Sequence, residues 1–109
     1  MKIQYRYSRC RLIYNPRHKD ATLCSLNTDV EHRGKSYAKY VLLAVKKFAK
    51  KMGIKEVRLT CAPYGQNPPD FYRLLNYYKK QGFYLNEDIN GNTPSYGCVL
   101  VYRTNGVKP

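Results

Sequence analysis

Nine consecutive residues, Val30, Glu31, His32, Arg33, Gly34, Lys35, Ser36, Tyr37 and Ala38, carry the densest chemical signal in the sequence. They join a run with strand character (residues 21–28) directly to a run with helix character (residues 37–52). A glycine-bearing turn that opens a helix after a strand presents backbone N–H groups with no partner inside the helix. Those groups sit at the positive end of the helix dipole, where phosphate binds well. Arg33 and Lys35 add positive charge to the same turn. The chemistry this segment predicts is capture of a phosphate-bearing ligand.

Two phosphate-loop patterns compete for these residues. Gly34, Lys35 and Ser36 match the tail of the nucleotide-triphosphatase loop, G-x-x-x-x-G-K-[ST]. That pattern needs glycine five residues before Gly34, where the chain has Asp29. A carboxylate there would face the phosphate, which excludes the pattern. The spacing instead resembles the acetyl-CoA pyrophosphate loop of the GNAT superfamily of N-acetyltransferases, R/Q-x-x-G-x-G/A. Arg33, Ser36 and Ala38 fall on its three fixed positions, with Ser36 in place of the middle glycine. Serine keeps the N–H but adds a side chain where glycine allows close approach.

A second segment supports the resemblance. Residues 76–83, Asn-Tyr-Tyr-Lys-Lys-Gln-Gly-Phe, are similar to the family's aromatic-Tyr-x-x-x-Gly-Phe helix ending. Tyr78 occupies the tyrosine position, whose family role is to protonate the departing CoA thiolate. The same helical spacing also suits an ordinary core aromatic. The two motifs occur in the family's order with a strand between them.

The resemblance implies transfer of an acetyl group from acetyl-CoA to an amine by direct attack, with no covalent enzyme intermediate; no metal is expected. The N–H groups of Arg33, Gly34, Lys35, Ser36, Tyr37 and Ala38 would then cradle the pyrophosphate. An amide near Thr28 to Val30 would polarise the thioester carbonyl, and Tyr78 would be the general acid. An amine acceptor must also lose a proton. On the strand leading to the loop only Ser25, Asn27 and Asp29 are available, and Asp29 is the candidate base by chemistry. Glu31 and His32 lie closer to the phosphates than to the acetyl group, and a water chain ending at a tyrosine is an equal alternative. Asn67 is a loose counterpart of the family's asparagine between strand and helix.

Composition bounds the rest. A chain of 109 residues, 43% hydrophobic and 14% aromatic, reads as one folded domain over residues 1–109. No apolar run is long enough to span a bilayer, and the opening residues alternate basic and apolar types, so the expected setting is intracellular, in the cytoplasm. Cys10, Cys24, Cys61 and Cys98 are scattered without a C-x-x-C pair, and His18 and His32 do not form a ligand pair. That argues against zinc and against a disulfide framework. Twenty Lys plus Arg against seven Asp plus Glu give a net charge of +13. Such a field attracts polyanions. It points to an acidic macromolecular acceptor, protein or ribonucleoprotein, with a solvated basic face that serves solubility as the equal alternative, and disfavours a free polyamine or aminoglycoside. The alternative reading is a non-catalytic module that stacks single-stranded nucleic acid on some of its 12 tyrosines; a fold of the same family that no longer binds CoA well is another.

The elements that must position these groups follow from periodicity. Residues 2–8 alternate as a half-exposed strand, residues 11–14 continue it, and residues 21–28 form another. Tyr37, Val41, Val45, Phe48 and Met52 recur at helical spacing, with Lys46, Lys47, Lys50 and Lys51 on the other side and Gly53 as a stop. Residues 55–61 alternate as a strand. A second helix is predicted from Pro69 to about Gln81, with Asp70 at its start. Residues 83–85 and 98–102 close the sheet around Asn90-Gly91. The expected fold class is α+β: a mixed, mostly antiparallel twisted sheet with two main helices, a GNAT-like fold trimmed of the helices that normally wall the acceptor site.

Overall fold

The computed structural model describes residues 1–62, 70–91 and 97–106. Its strands are β1 (Lys2–Tyr5), β2 (Ser8–Asn15), β3 (Asp20–Thr28), β4 (Glu56–Cys61), β5 (Tyr84–Leu85) and β6 (Cys98–Arg103). Its helices are α1 (Tyr37–Lys51), α2 (Phe71–Lys80) and the short α3 (Glu87–Asn90). The strands form one sheet in the order β1-β2-β3-β4-β6-β5. Every pairing is antiparallel except β3 with β4, which α1 connects. The expected α+β class is therefore what the chain adopts. Among the described residues no helix is long and apolar enough to cross a membrane.

Alternation along the strands puts Cys10, Leu12, Ala21, Leu23, Val57, Leu59, Cys61, Cys98 and Leu100 on one face. Val41, Leu42, Val45 and Ala49 of α1 and Leu75 and Tyr78 of α2 complete the same cluster, so both long helices cover that face. The Lys46 ammonium, donating to the Gln81 carbonyl, ties the two helices together. The opposite face carries exposed Arg11, Ile13, Thr22 and Thr60 and no long helix among the described residues. Among the described residues the chain is thus a two-layer structure whose second sheet face is exposed at these positions and closed at Val101, which is fully buried.

Several local details differ from the sequence expectation. The strand expected over residues 2–8 is cut by a hairpin turn: Tyr5 pairs with Ser8, and Arg6 takes φ 51°. Nothing in the alternation marks that turn, because Arg6 and Tyr7 are not turn formers. The buried stripe of α1 runs through Leu42 and Ala49, whereas Met52 is 44% exposed. Asp70 does open α2, its carboxylate accepting from the N–H groups of Tyr72 and Arg73 at 3.3 and 3.2 Å. Pro69 and Asn67 lie outside the described residues. Helix α2 ends as its Gly-Phe pair requires. Gly82 adopts φ 93°, its N–H bonds the Lys79 carbonyl, and the Phe83 N–H bonds the Tyr78 carbonyl. That is a Schellman cap, which leaves Phe83 fully buried.

Candidate active site

Parallel pairing of β3 with β4 begins at Asp20 and Glu56 and ends at Leu23 and Leu59, although β3 runs on to Thr28 and β4 to Cys61. The two strands splay apart at their carboxyl ends. The cause is a bulge in β3. Arg9 pairs with Asn27 but Arg11 pairs with Cys24, so Ser25 and Leu26 together face Cys10. Ser25 takes a positive φ of 58°, as the first residue of a G1-type bulge does. The bend ends the parallel ladder at Leu23 and Leu59, five residues short of the end of β3.

A cleft of about 960 Å³ fills the splay. One wall is residues 22–28 of β3, the other is Leu59, Thr60 and Ala62 from β4, and α2 contributes Arg73, Leu74, Tyr77 and Tyr78. Its mouth is formed by His32, Arg33, Gly34, Ser36, Tyr37 and Ala38. The N–H groups of residues 34–38 make no backbone hydrogen bond among the described residues. Gly34 has φ 81° and open space around the position of a side chain. Ser36 caps α1 in the left-handed conformation at φ 65° and makes no side-chain cap bond. It holds a backbone geometry that favours glycine, the residue the motif has there.

Packing holds the loop in place. Tyr7 stacks on His32 with centroids 3.5 Å apart and planes 4° from parallel. The Tyr7 carbonyl accepts the Asp29 N–H at 2.9 Å, and Arg9 pairs with the Asp29 carboxylate at 2.9 Å. Buried Ser8 donates to the Asn27 carbonyl and accepts from the Thr28 hydroxyl. The Arg33 side chain reaches back to the Thr28 carbonyl at 3.3 Å.

Of the residues singled out by sequence, Thr28, Arg33, Gly34, Ser36, Tyr37, Ala38 and Tyr78 line the cleft. Val30, Lys35 and Asp29 do not. Val30 is exposed, and the Lys35 ammonium points to His32 Nδ1 at 3.4 Å. The Asp29 carboxylate is engaged by Arg9, and its N–H, one of the amides expected to polarise a carbonyl, is already donated to Tyr7. Sequence reasoning missed Cys24, Arg73, Leu74 and Tyr77. The Tyr77 hydroxyl is buried without a hydrogen-bond partner among the described residues, and burial pushes its pKa up to about 12. Its position beside Tyr78 in the helix ending was the available signal. Among the described residues no group of three His, Cys, Asp or Glu side chains is arranged to hold a metal.

This architecture has known counterparts. The Acetyltransferase (GNAT) family profile matches residues 7–83, and the chain belongs to that family. The fold is similar to the PaiA N-acetyltransferase of Thermoplasma acidophilum, solved with coenzyme A, at 23% identity and TM-score 0.66, covering 89% of this chain and 53% of that one. A GNAT-family acetyltransferase of Staphylococcus aureus matches at 16% identity and TM-score 0.69, covering 90% and 60%. Tetrahymena GCN5 matches at 15% identity and TM-score 0.65, covering 93% and 62%. The chain therefore spans little more than half the length of these structures. A search of curated proteins finds no match.

Proposed function

We propose that the chain binds acetyl-CoA in the β3/β4 cleft and transfers its acetyl group to a primary amine on a macromolecule. The observation that carries this reading is the union of a splayed parallel strand pair with a helix N-terminus whose amides make no backbone hydrogen bond among the described residues. The N–H groups of residues 34–38 suit a pyrophosphate. The gap between β3 and β4 past Leu23 and Leu59, where their ladder stops, suits an extended pantetheine arm laid between the strands as an added strand would lie. The cleft volume of about 960 Å³ has the size of a cofactor site.

Acetyl-CoA supplies an activated thioester, whose C–S bond breaks as the N–C bond to the amine forms. The chain's part is to position, polarise and move protons. Tyr78, at the α2 wall, donates the proton that the leaving sulfur needs. Asp29 serves as a brace, since Arg9 holds its carboxylate away from the cleft lining. The amine's proton leaves through water along the Ser25 and Asn27 side of the cleft. The open sheet face admits an acceptor too large for an enclosed pocket, and the charge of +13 favours an acidic one.

The test is release of CoA thiol when acetyl-CoA is offered with amine-bearing peptides. Peptide-dependent release, abolished by blocking the amine, is expected. Acetyl-CoA binding without transfer to any amine would contradict the reading.

A further inference from the structure

The open face of the sheet is not electrically uniform. At the end away from the cleft its charges are matched, with Arg58 meeting Glu56 at 2.6 Å and Asp20 at 3.5 Å, and Arg103 meeting Glu56 at 3.5 Å. At the cleft end they are not. Lys2 and Arg11 are cross-strand partners, both exposed, and neither has an ion-pair partner among the described residues. Arg11 pairs in turn with Cys24, and Arg9 with Asn27, so the basic row leads directly to the strand that walls the cleft.

A second depression, of about 310 Å³, lies in that row, lined by Lys2, Arg9, Cys10, Arg11, Ser25 and Asn27. Ser25 and Asn27 line the main cleft as well, so the two cavities meet at the β3 bulge. We propose that this depression is an anion subsite for the acceptor: the chain acetylates an amine on a peptide that carries carboxylates within its next few residues. The proposal rests on the acetyl-transfer reading and names its substrate class.

Spacing sets which residues are read. Strands lie about 4.8 Å apart, so the cations of β2 and β1 stand about 5 and 10 Å from β3, while an extended peptide advances about 3.3 Å per residue. Carboxylates one to three residues from the amine therefore reach Arg11 and Lys2. Arg9 already faces Asp29, which leaves Lys2 and Arg11 to bind the acceptor. A single-stranded nucleic acid fits less well, because base stacking needs exposed rings beside the charge. Tyr5 and Tyr40 pack together on the helix side of the sheet, Tyr7 packs against His32 and Tyr37, and no ring lines the depression.

The experiment titrates labelled peptides, with a free amine and either two Glu or two Gln at the following positions, into the full chain saturated with CoA. The Lys2→Glu/Arg11→Glu variant is titrated in parallel, with its CoA affinity as the control for an intact cleft. Two screened contacts predict that wild type binds the Glu peptide about tenfold tighter than the Gln peptide. That preference should shrink with added salt and vanish in the reversed variant. Equal binding of the two peptides, a preference that survives reversal, or stronger competition by single-stranded RNA of equal charge would overturn the proposal. Absence of CoA binding in the wild type brings down the transferase reading itself and is scored separately from the peptide titration.

Discussion

Arg9 and Asp29 form an ion pair of 2.9 Å that ties the first residue beyond β3 to the neighbouring strand β2. That engagement makes Asp29, the candidate base by sequence, a clamp on the loop that opens α1 in the proposed mechanism. Exposed pairs of this kind contribute about 0.2–1 kcal/mol. Asp29→Asn is therefore expected to weaken CoA binding by at most about fivefold and to leave kcat nearly unchanged. Steady-state kinetics with calorimetry checks this. A fall in kcat of about a hundredfold or more would return Asp29 to the role of general base.

Tyr78 and its neighbour Tyr77 both line the cleft, and only one is assigned to proton transfer. Tyr78→Phe should lower kcat by about a hundredfold or more and leave CoA affinity within about twofold. Tyr77→Phe removes a buried hydroxyl that has no partner among the described residues. Stability should hold or rise by about 1 kcal/mol, with turnover retained. Reversed effects of the two substitutions on kcat would exchange their roles.

Ser36 holds φ 65°, a conformation costing a non-glycine residue about 1 kcal/mol or more. Glycine removes that cost but adds freedom to the unfolded chain. The net expectation for Ser36→Gly is a gain of about 0.5 kcal/mol in denaturant unfolding and about two- to fivefold tighter CoA binding, because the cradle is better pre-organised. A weaker affinity would show that the Ser36 hydroxyl itself contacts the ligand.

Stability should fall on the alkaline side. Burial pushes the Cys10 thiol from 9.0 up to about 11, the Cys61 thiol from 9.0 to about 12 and the Tyr77 phenol from 10.0 to about 12. The unfolded chain releases these protons first, so above about pH 9 it binds fewer protons than the folded one and ΔG of unfolding declines. The contribution is complete below pH 9 and is lost through about pH 11–12. Urea unfolding between pH 8 and pH 10.5 measures the slope, and Cys61→Ala should flatten it relative to wild type. A flat wild-type profile over that range would contradict the buried thiols.

Much of the cradle was legible because it is local. A glycine turn, an adjacent arginine and a 3.6-residue apolar period name a loop and a helix from neighbouring residues alone, and Gly82-Phe83 announces its own cap. The cleft was not legible in the same way. Its opening depends on the bulge at Ser25, which exists only in the register between β2 and β3, and serine gives no hint of a left-handed backbone. The hairpin turn at Arg6 and Tyr7 is equally hidden, because alternation continues across it. Arg73 and Leu74 reach the cleft through the placement of α2 against β4, a tertiary fact with no sequence signature. The Lys2–Arg11 pairing also needs the sheet, because nine positions separate the two residues in the chain.

Titration of the chain with acetyl-CoA by calorimetry, beside Gly34→Asp, tests the central claim most directly. Gly34 faces open space but holds φ 81°, so any side chain there strains the turn; Gly34→Asn, strained alike but uncharged, is the control that isolates the effect of charge on the ligand's phosphates. Saturable one-site binding to the wild type is expected, weakened about tenfold or more in the Asp variant while both remain folded. No heat of binding in the folded wild type, or equal affinity in the Asp variant, would contradict a phosphate cradle at the N-terminus of α1.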